Sequence, residues 1–133
     1  MNIHDEFTAL AIIRNHSEVL VVERADWPID RNLSFPGGKW DGKESPYETG
    51  ERELYEETGL IVDIADLSLL GRRTHPTTGK QLLYFGAWTS ACQGVLENKE
   101  PEKHHSVSFR SIDEVVEKMG QNNIFPPVLK FLS

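Results

Sequence analysis

Residues 38–60 read GKWDGKESPYETGERELYEETGL, a glycine-bearing turn leading into a glutamate-rich segment that has both ends of a helix written into it. Ser45 is an N-cap whose hydroxyl accepts from the amide of Glu48, while the Glu48 side chain reaches back to the amide of Ser45. Pro46, at the first helical position, gives up a donor that has no partner inside a helix, and Gly59 supplies the stop. Between these caps Glu53, Glu56 and Glu57 stand at i, i+3 and i+4, so at about 100° per residue the three carboxylates share one face. Like charges so placed repel unless a cation offsets them. Hard oxygen ligands select Mg²⁺ or Mn²⁺ over zinc or copper, and Mg²⁺ keeps water and phosphate oxygens beside a few carboxylates. Taken alone, the same spacing is also that of a solvated acidic face.

The wider spacing decides between these. Gly38, Glu44, Arg52-Glu53-Leu54, Glu56-Glu57 and Gly59-Leu60 occupy nine fixed positions over 23 residues. This pattern resembles the Nudix box, the signature of the Nudix hydrolases, and the helix caps independently require the loop and helix in which that motif sits. The resemblance implies an α/β fold, an α/β/α sandwich around a mixed β-sheet with the box as a loop-helix-loop unit. It also implies hydrolysis of a nucleoside diphosphate linked to another moiety, with a divalent metal on the box glutamates.

Composition bounds the rest. A chain of 133 residues is expected to form one domain, residues 1–133, long enough to bury a core. A 38% hydrophobic and 26% charged content is that of a globular protein, and no apolar run approaches the roughly 18 to 20 residues that span a bilayer. The opening MNIHDEFTAL has no basic stretch followed by an apolar one, so a cytoplasmic protein without a secretory signal or membrane association is expected. The lone Cys92 excludes an internal disulfide and reads as apolar filler. A net charge of −7 argues against a nucleic-acid polymer as partner, whereas a small anionic nucleotide remains compatible once a metal supplies local positive charge. Monomer and homodimer are both open.

In chain order, residues 7–13 and 19–24 read as two β-strands in a hairpin-like arrangement, and 33–35 as a short strand running into the Pro36-Gly37-Gly38 loop. After the box helix, residues 61–64, 67–73 and 81–89 read as strands, with a turn at 75–79. Residues 91–101 are irregular and 106–110 alternate as an edge strand does. Ser111 and Glu114 open a second capped helix reaching about Met119, and a short helix covers 128–132. The pattern is a mixed sheet with helices on its faces.

The resemblance carries roles onto particular residues. Glu56 and Glu57 are the core metal ligands, joined by the backbone carbonyl of Gly37 or Gly38, and Glu53 is a further ligand or the group that orients the attacking water. Glu44 is the other candidate base, or an outer-shell group. Arg52 completes the catalytic group by holding a glutamate or the loop in place. An added loop ligand is Glu100 or Glu102, with Glu102 preferred, and Gly50 is placed on the metal-facing side, where lack of bulk is useful. His75 is a candidate substrate contact, and His104 and His105 are candidate metal or catalytic groups.

Beyond the box the likeness is closest to the MutT-type nucleoside triphosphate diphosphatases. Ile12-Ile13-Arg14-Asn15 and Phe35-Pro36-Gly37-Gly38-Lys39 carry it, with Phe125-Pro126-Pro127 a looser match. It implies Mg²⁺- or Mn²⁺-dependent cleavage of a nucleoside triphosphate, oxidised or otherwise non-standard nucleotides included, to monophosphate and pyrophosphate. Arg24 falls at a base-contacting position, Phe35 and Trp27 are placed to flank a base, and Lys39 to touch phosphate. The purine-reading asparagine that follows Pro-Pro in the pattern is replaced here by Val128 and Leu129. A diphosphatase for ADP-ribose or a dinucleotide is the alternative, and retention of every box glutamate argues against a purely nucleotide-binding module.

Overall fold

The computed structural model describes residues 7–133. The opening residues 1–6, on which the reading of a missing secretory signal rests, lie outside the described residues. The strands are β1 (Phe7–Arg14), β2 (Glu18–Arg24), β3 (Leu33–Ser34), β4 (Gly37–Lys39), β5 (Leu60–Val62), β6 (Ser68–Thr74), β7 (Gln81–Trp88), β8 (Cys92–Gly94) and β9 (His104–Ser111). The helices are α1 (Pro46–Thr58), α2 (Ile112–Met119) and α3 (Pro126–Leu132). The principal sheet runs β3-β2-β1-β7-β6, with β4 also on β1 and β9 also on β2, while β5 and β8 form a separate pair. Among the described residues only β1 and β7 run parallel in it, so the sheet is mixed.

Helices cover both faces. α1 buries Leu54 against Phe7, Ala9, Ala11, Ile13 and Phe85. On the other side α2 and α3 bury Val115 and Val128 against Ile12, Val19, Val21 and Tyr84. The period-2 alternation of β1 sends its side chains to these two layers in turn. This is the α/β/α sandwich expected from the sequence.

Where the sheet parts, a cleft forms. β1 and β2 pair at the Arg14–Val19 end, but lower down β1 turns its edge to β4, with Ala9 opposite Gly38 and Leu10 opposite Gly37. The stretch read as a Pro-Gly-Gly loop is therefore a strand. A Cβ on Gly37 would overlap the carbonyl of Ala9, so only glycine lets the two backbones approach this closely. β2 meanwhile carries β3 and β9 away from β1. Other bounds move by one or two residues, and part of the irregular stretch 91–101 proves to be β8, paired with β5.

Candidate active site

Local chemistry sets α1 in place before any long-range contact. The Ser45 hydroxyl accepts from Glu48 N at 3.2 Å and Glu48 accepts from Ser45 N at 2.8 Å, while Gly59 ends the helix with φ of 78°. Leu54 on one side packs into the sheet, which turns Glu53 and Glu57 toward Gly37 and Gly38 of β4. Gly50 is corrected by the structure: it faces the sheet rather than the metal side, its absent Cβ lying 3.4 Å from the Phe85 ring. Its stripe along the helix meets the core at the N-terminal end and the cleft only further on.

Glu57 is buried, and Oε1 accepts weakly from Gly37 N at 3.4 Å. Burial, then the neighbouring Glu53 carboxylate, pushes its carboxyl up to about 9, and burial also raises Glu53. Two carboxylates in one low-dielectric corner hold a proton between them because both cannot ionise cheaply. A Cβ at Gly38 would overlap the Glu53 carboxylate, so the glycine leaves the space those oxygens occupy. A proton-sharing carboxylate pair beside backbone carbonyls is a donor set that fits a hard divalent cation.

Arg52 organises the remaining acids. It donates to Glu44 at 2.7 Å, to Glu53 at 2.9 Å, to Glu56 at 3.0 Å and to the Lys39 carbonyl at 2.9 Å. Glu44 is bound further by the Thr49 hydroxyl at 2.9 Å, and Arg52 holds its carboxyl below the usual carboxylate range. Trp40, stacked on Phe7, donates its indole N–H to the Glu44 carbonyl at 2.6 Å and so anchors the loop ahead of α1. Glu56 is turned outward onto Arg52. Among the described residues no three His, Cys, Asp or Glu side chains therefore converge in metal-ligand geometry, and the guanidinium stands as the cation among these acids.

A cleft of about 970 Å³ opens beside them. Lys39 and Trp27 are exposed at its edge, and Phe35 is buried in its wall. Arg24 lines it as well, but gives Asp26 two hydrogen bonds of 3.0 Å and lies 4.6 Å from the Trp27 ring centre. Glu102 is exposed on the rim. Glu100 is less exposed, pairs with Lys103 at 3.3 Å, and raises the Glu57 carboxyl through its charge. The segment carrying them docks on the end of α1, with Glu97 N donating to the Thr58 carbonyl at 2.9 Å.

Two groups gain prominence in the structure: His104, already a candidate metal or catalytic group in the sequence, and Arg73, which the sequence did not bring forward. His104, the first residue of β9, is buried with Nε2 3.7 Å from Glu57 Oε1, and burial lowers its pKa. Its position beside Arg24 in the β2–β9 ladder puts it there, a placement that strand alternation suggests only once the pairing is known. Arg73 enters the cleft from β6, and His75, two residues further on, and Tyr84 of β7, whose ladder partner is Gly71, line the same wall. His105 is exposed, and Asn123 caps α2 by donating to the Met119 carbonyl at 3.0 Å.

Comparison with known proteins now bears on this geometry. The family model of the NUDIX domain matches residues 3–131. The chain belongs to the Nudix family. It is 32% identical over 120 residues to a MutT-like protein of Streptomyces ambofaciens, covering 90% of this chain and 71% of that one. It is 35% identical over 71 residues to the 8-oxo-dGTP diphosphatase of Haemophilus influenzae, and this match spans 52% of each protein. The crystal structure of a MutT protein from Bacillus halodurans superposes with a TM-score of 0.67 at 28% identity, covering 84% of this chain and 72% of that one. The protein is thus a MutT-like Nudix hydrolase, an enzyme of the pyrophosphohydrolase class. Among the described residues no helix is long and apolar enough to cross a membrane.

Proposed function

We propose that this Nudix hydrolase cleaves a nucleoside triphosphate to the monophosphate and pyrophosphate, using Mg²⁺ or Mn²⁺. The observation that carries the reading is the buried Glu53–Glu57 pair opposite Gly37 and Gly38, in a cleft wide enough for a nucleotide. Likeness to an 8-oxo-dGTP diphosphatase supports the substrate class. Glu53, Glu56, Glu57 and the Gly38 carbonyl would hold the metal, with Glu102 or Glu100 as a further ligand from the loop. Bound there, the metal supplies positive charge to the phosphate oxygens and acidity to water.

The chain's own groups divide the remaining work. Glu53 is the better base of the two candidates, because it lines the cleft, whereas Glu44 does not and is held by Arg52 and Thr49. Glu53 takes a proton from the attacking water as its oxygen bonds to phosphorus and the bridging oxygen leaves with pyrophosphate. Glu44 acts through Arg52, fixing the guanidinium that orients Glu53 and Glu56. Lys39, Trp27, Phe35 and Arg24 line the route from phosphate to nucleoside.

The test is a product screen over nucleoside triphosphates, ADP-ribose and dinucleotides, with and without Mg²⁺. Monophosphate and pyrophosphate from triphosphates are expected, and only with the metal. Cleavage of ADP-ribose to AMP and ribose phosphate, with triphosphates untouched, would overturn the substrate class and keep the site.

A further inference from the structure

The cleft holds one arginine that no carboxylate claims. Arg73 stands opposite Leu82 in the β6–β7 ladder, its Nε donates to the Tyr84 hydroxyl at 3.2 Å, and its guanidinium carbon lies 5.9 Å from the Tyr84 ring centre and 5.5 Å from that of Phe125. These contacts hold the side chain through its stem and faces, and among the described residues it makes no ion pair. Of the five donors in the guanidinium fork, Nε–H is used and those of the two terminal nitrogens are left for the cleft. Arg24, the arginine that the sequence favours, is by contrast committed twice over to Asp26.

Position separates Arg73 from the phosphate chemistry. At the level of Ala9 the strand order is β4, β1, β7, β6, since Ala9 faces Gly38 on one side and Leu83 on the other, and Leu83 faces Arg72. Three strand spacings put β6 roughly 14 Å from β4. With the phosphates at the glutamates, Arg73 meets the nucleoside. Its neighbour His75 accepts at Nδ1 from the amides of Thr77 at 3.1 Å and Thr78 at 3.2 Å, so the ring carries its proton on Nε2 and is a second donor at this end. The acids that line the cleft are Glu53, Glu56, Glu57, Glu100 and Glu102, together with the Asp26 that Arg24 occupies.

We propose that Arg73 is a specificity-determining residue that selects a base edge carrying two adjacent hydrogen-bond acceptors, O6 and N7 of guanine or O2 and N3 of cytosine. The inference rests on the nucleotide reading of the site. A guanidinium spans two such acceptors side by side, whereas adenine sets its N6 amino donor beside N1 on one edge and beside N7 on the other. An adenine amino group also calls for an acceptor, and this end of the cleft presents donors.

Binding of dGMP, 7-deaza-dGMP, dCMP and dAMP is measured by NMR titration on the wild-type chain, Arg73→Met and Arg73→Lys. Monophosphates retain no pyrophosphate bond, so the readout is independent of turnover. The wild type should favour dGMP or dCMP over dAMP by roughly 5- to 150-fold, and Arg73→Met should bring that ratio toward unity, while Arg73→Lys should keep part of it, since an ammonium donates to both acceptors without the planar fork. A preference for dGMP that 7-deaza-dGMP lacks assigns the guanine edge, and a preference for dCMP assigns the cytosine edge. Binding of dAMP as tight as the others, or a preference that survives undiminished in Arg73→Met, overturns the inference. Base preference without hydrolysis of any triphosphate would break the proposed reaction and leave this assignment standing; hydrolysis without base preference would do the reverse.

Discussion

The two ends of the cleft are built in opposite ways. At the glutamate end Glu44, Glu53, Glu56, Glu57 and the Arg52 that binds the first three of them come from α1 and its lead-in, one continuous piece of chain. At the other end Arg24, Arg73 and Tyr84 come from β2, β6 and β7, and Phe125, from the turn before α3, backs Arg73. Helix periodicity alone sets the first arrangement. The second depends on strand register: slipping β6 by one residue would put Arg72 where Arg73 stands and turn the latter to the opposite face. Bond breaking can thus persist in such a fold while base choice changes with a single substitution.

The largest effect falls on the contiguous end. Glu57→Gln should lower kcat by about 10²- to 10⁴-fold, with Glu56→Gln behaving similarly, in steady-state assays of whichever triphosphate the screen identifies. Circular dichroism should show both folded, since the glutamine at position 57 removes a buried acid rather than a core contact. Full activity in both variants would remove α1 from the chemistry.

Gly38→Ala comes next. Its Cβ would displace the Glu53 carboxylate, the far end of a flexible side chain, so kcat should fall at least about tenfold while stability stays within about 0.5 kcal/mol of wild type. A large loss of stability with retained kcat would mean that Glu53 yields without consequence for catalysis.

Melting of the metal-free protein probes the glutamate end by pH. Folded Glu57, near 9, binds its proton well above the ordinary value of 4.5, so the folded state holds more protons than the unfolded one and stability falls as pH rises between them. His104, depressed by burial below 6.5, has the opposite slope up to that pH, which leaves pH 6.5 to 9 as the clean window. Across it the melting temperature should drop by roughly 10 °C, the effect of about 3 kcal/mol at about 1.4 kcal/mol per pH unit. Glu57→Gln should flatten the drop and added Mg²⁺ should reverse it. A flat profile in the wild type would place Glu57 in solvent.

Arg24→Ala should do least. Its partner Asp26 is exposed, and removing such a pair changes free energies by about 0.2–1 kcal/mol, so kcat/KM should stay within about fivefold. A larger loss than Arg73→Met gives would move base reading to the β2 side of the cleft.

Much of the α1 end was legible without coordinates, because capping and i, i+3, i+4 spacing are properties of contiguous residues: both caps of α1 form as the sequence indicates. Gly50 marks the limit of that kind of reading. A helical wheel puts it in the stripe of Glu53 and Glu57, yet the ring that fills the space beside it, Phe85, belongs to a strand 35 residues on. The Pro36-Gly37-Gly38 stretch also read as loop, since the pairing that makes it a strand is with β1, and its glycines serve that close approach.

By itself, then, the sequence determined a capped helix with three acids on one face, a mixed α/β fold around it, and through the resemblance a pyrophosphate-cleaving chemistry. Only the tertiary structure decided that Arg52 gathers Glu44, Glu53 and Glu56, that His104 backs Glu57, and that Arg73 rather than Arg24 keeps its donors free. The physical reason is range. A helix places its side chains within one or two turns of chain, whereas which charge is buried, neutralised or left free depends on strands that meet from distant parts of the sequence.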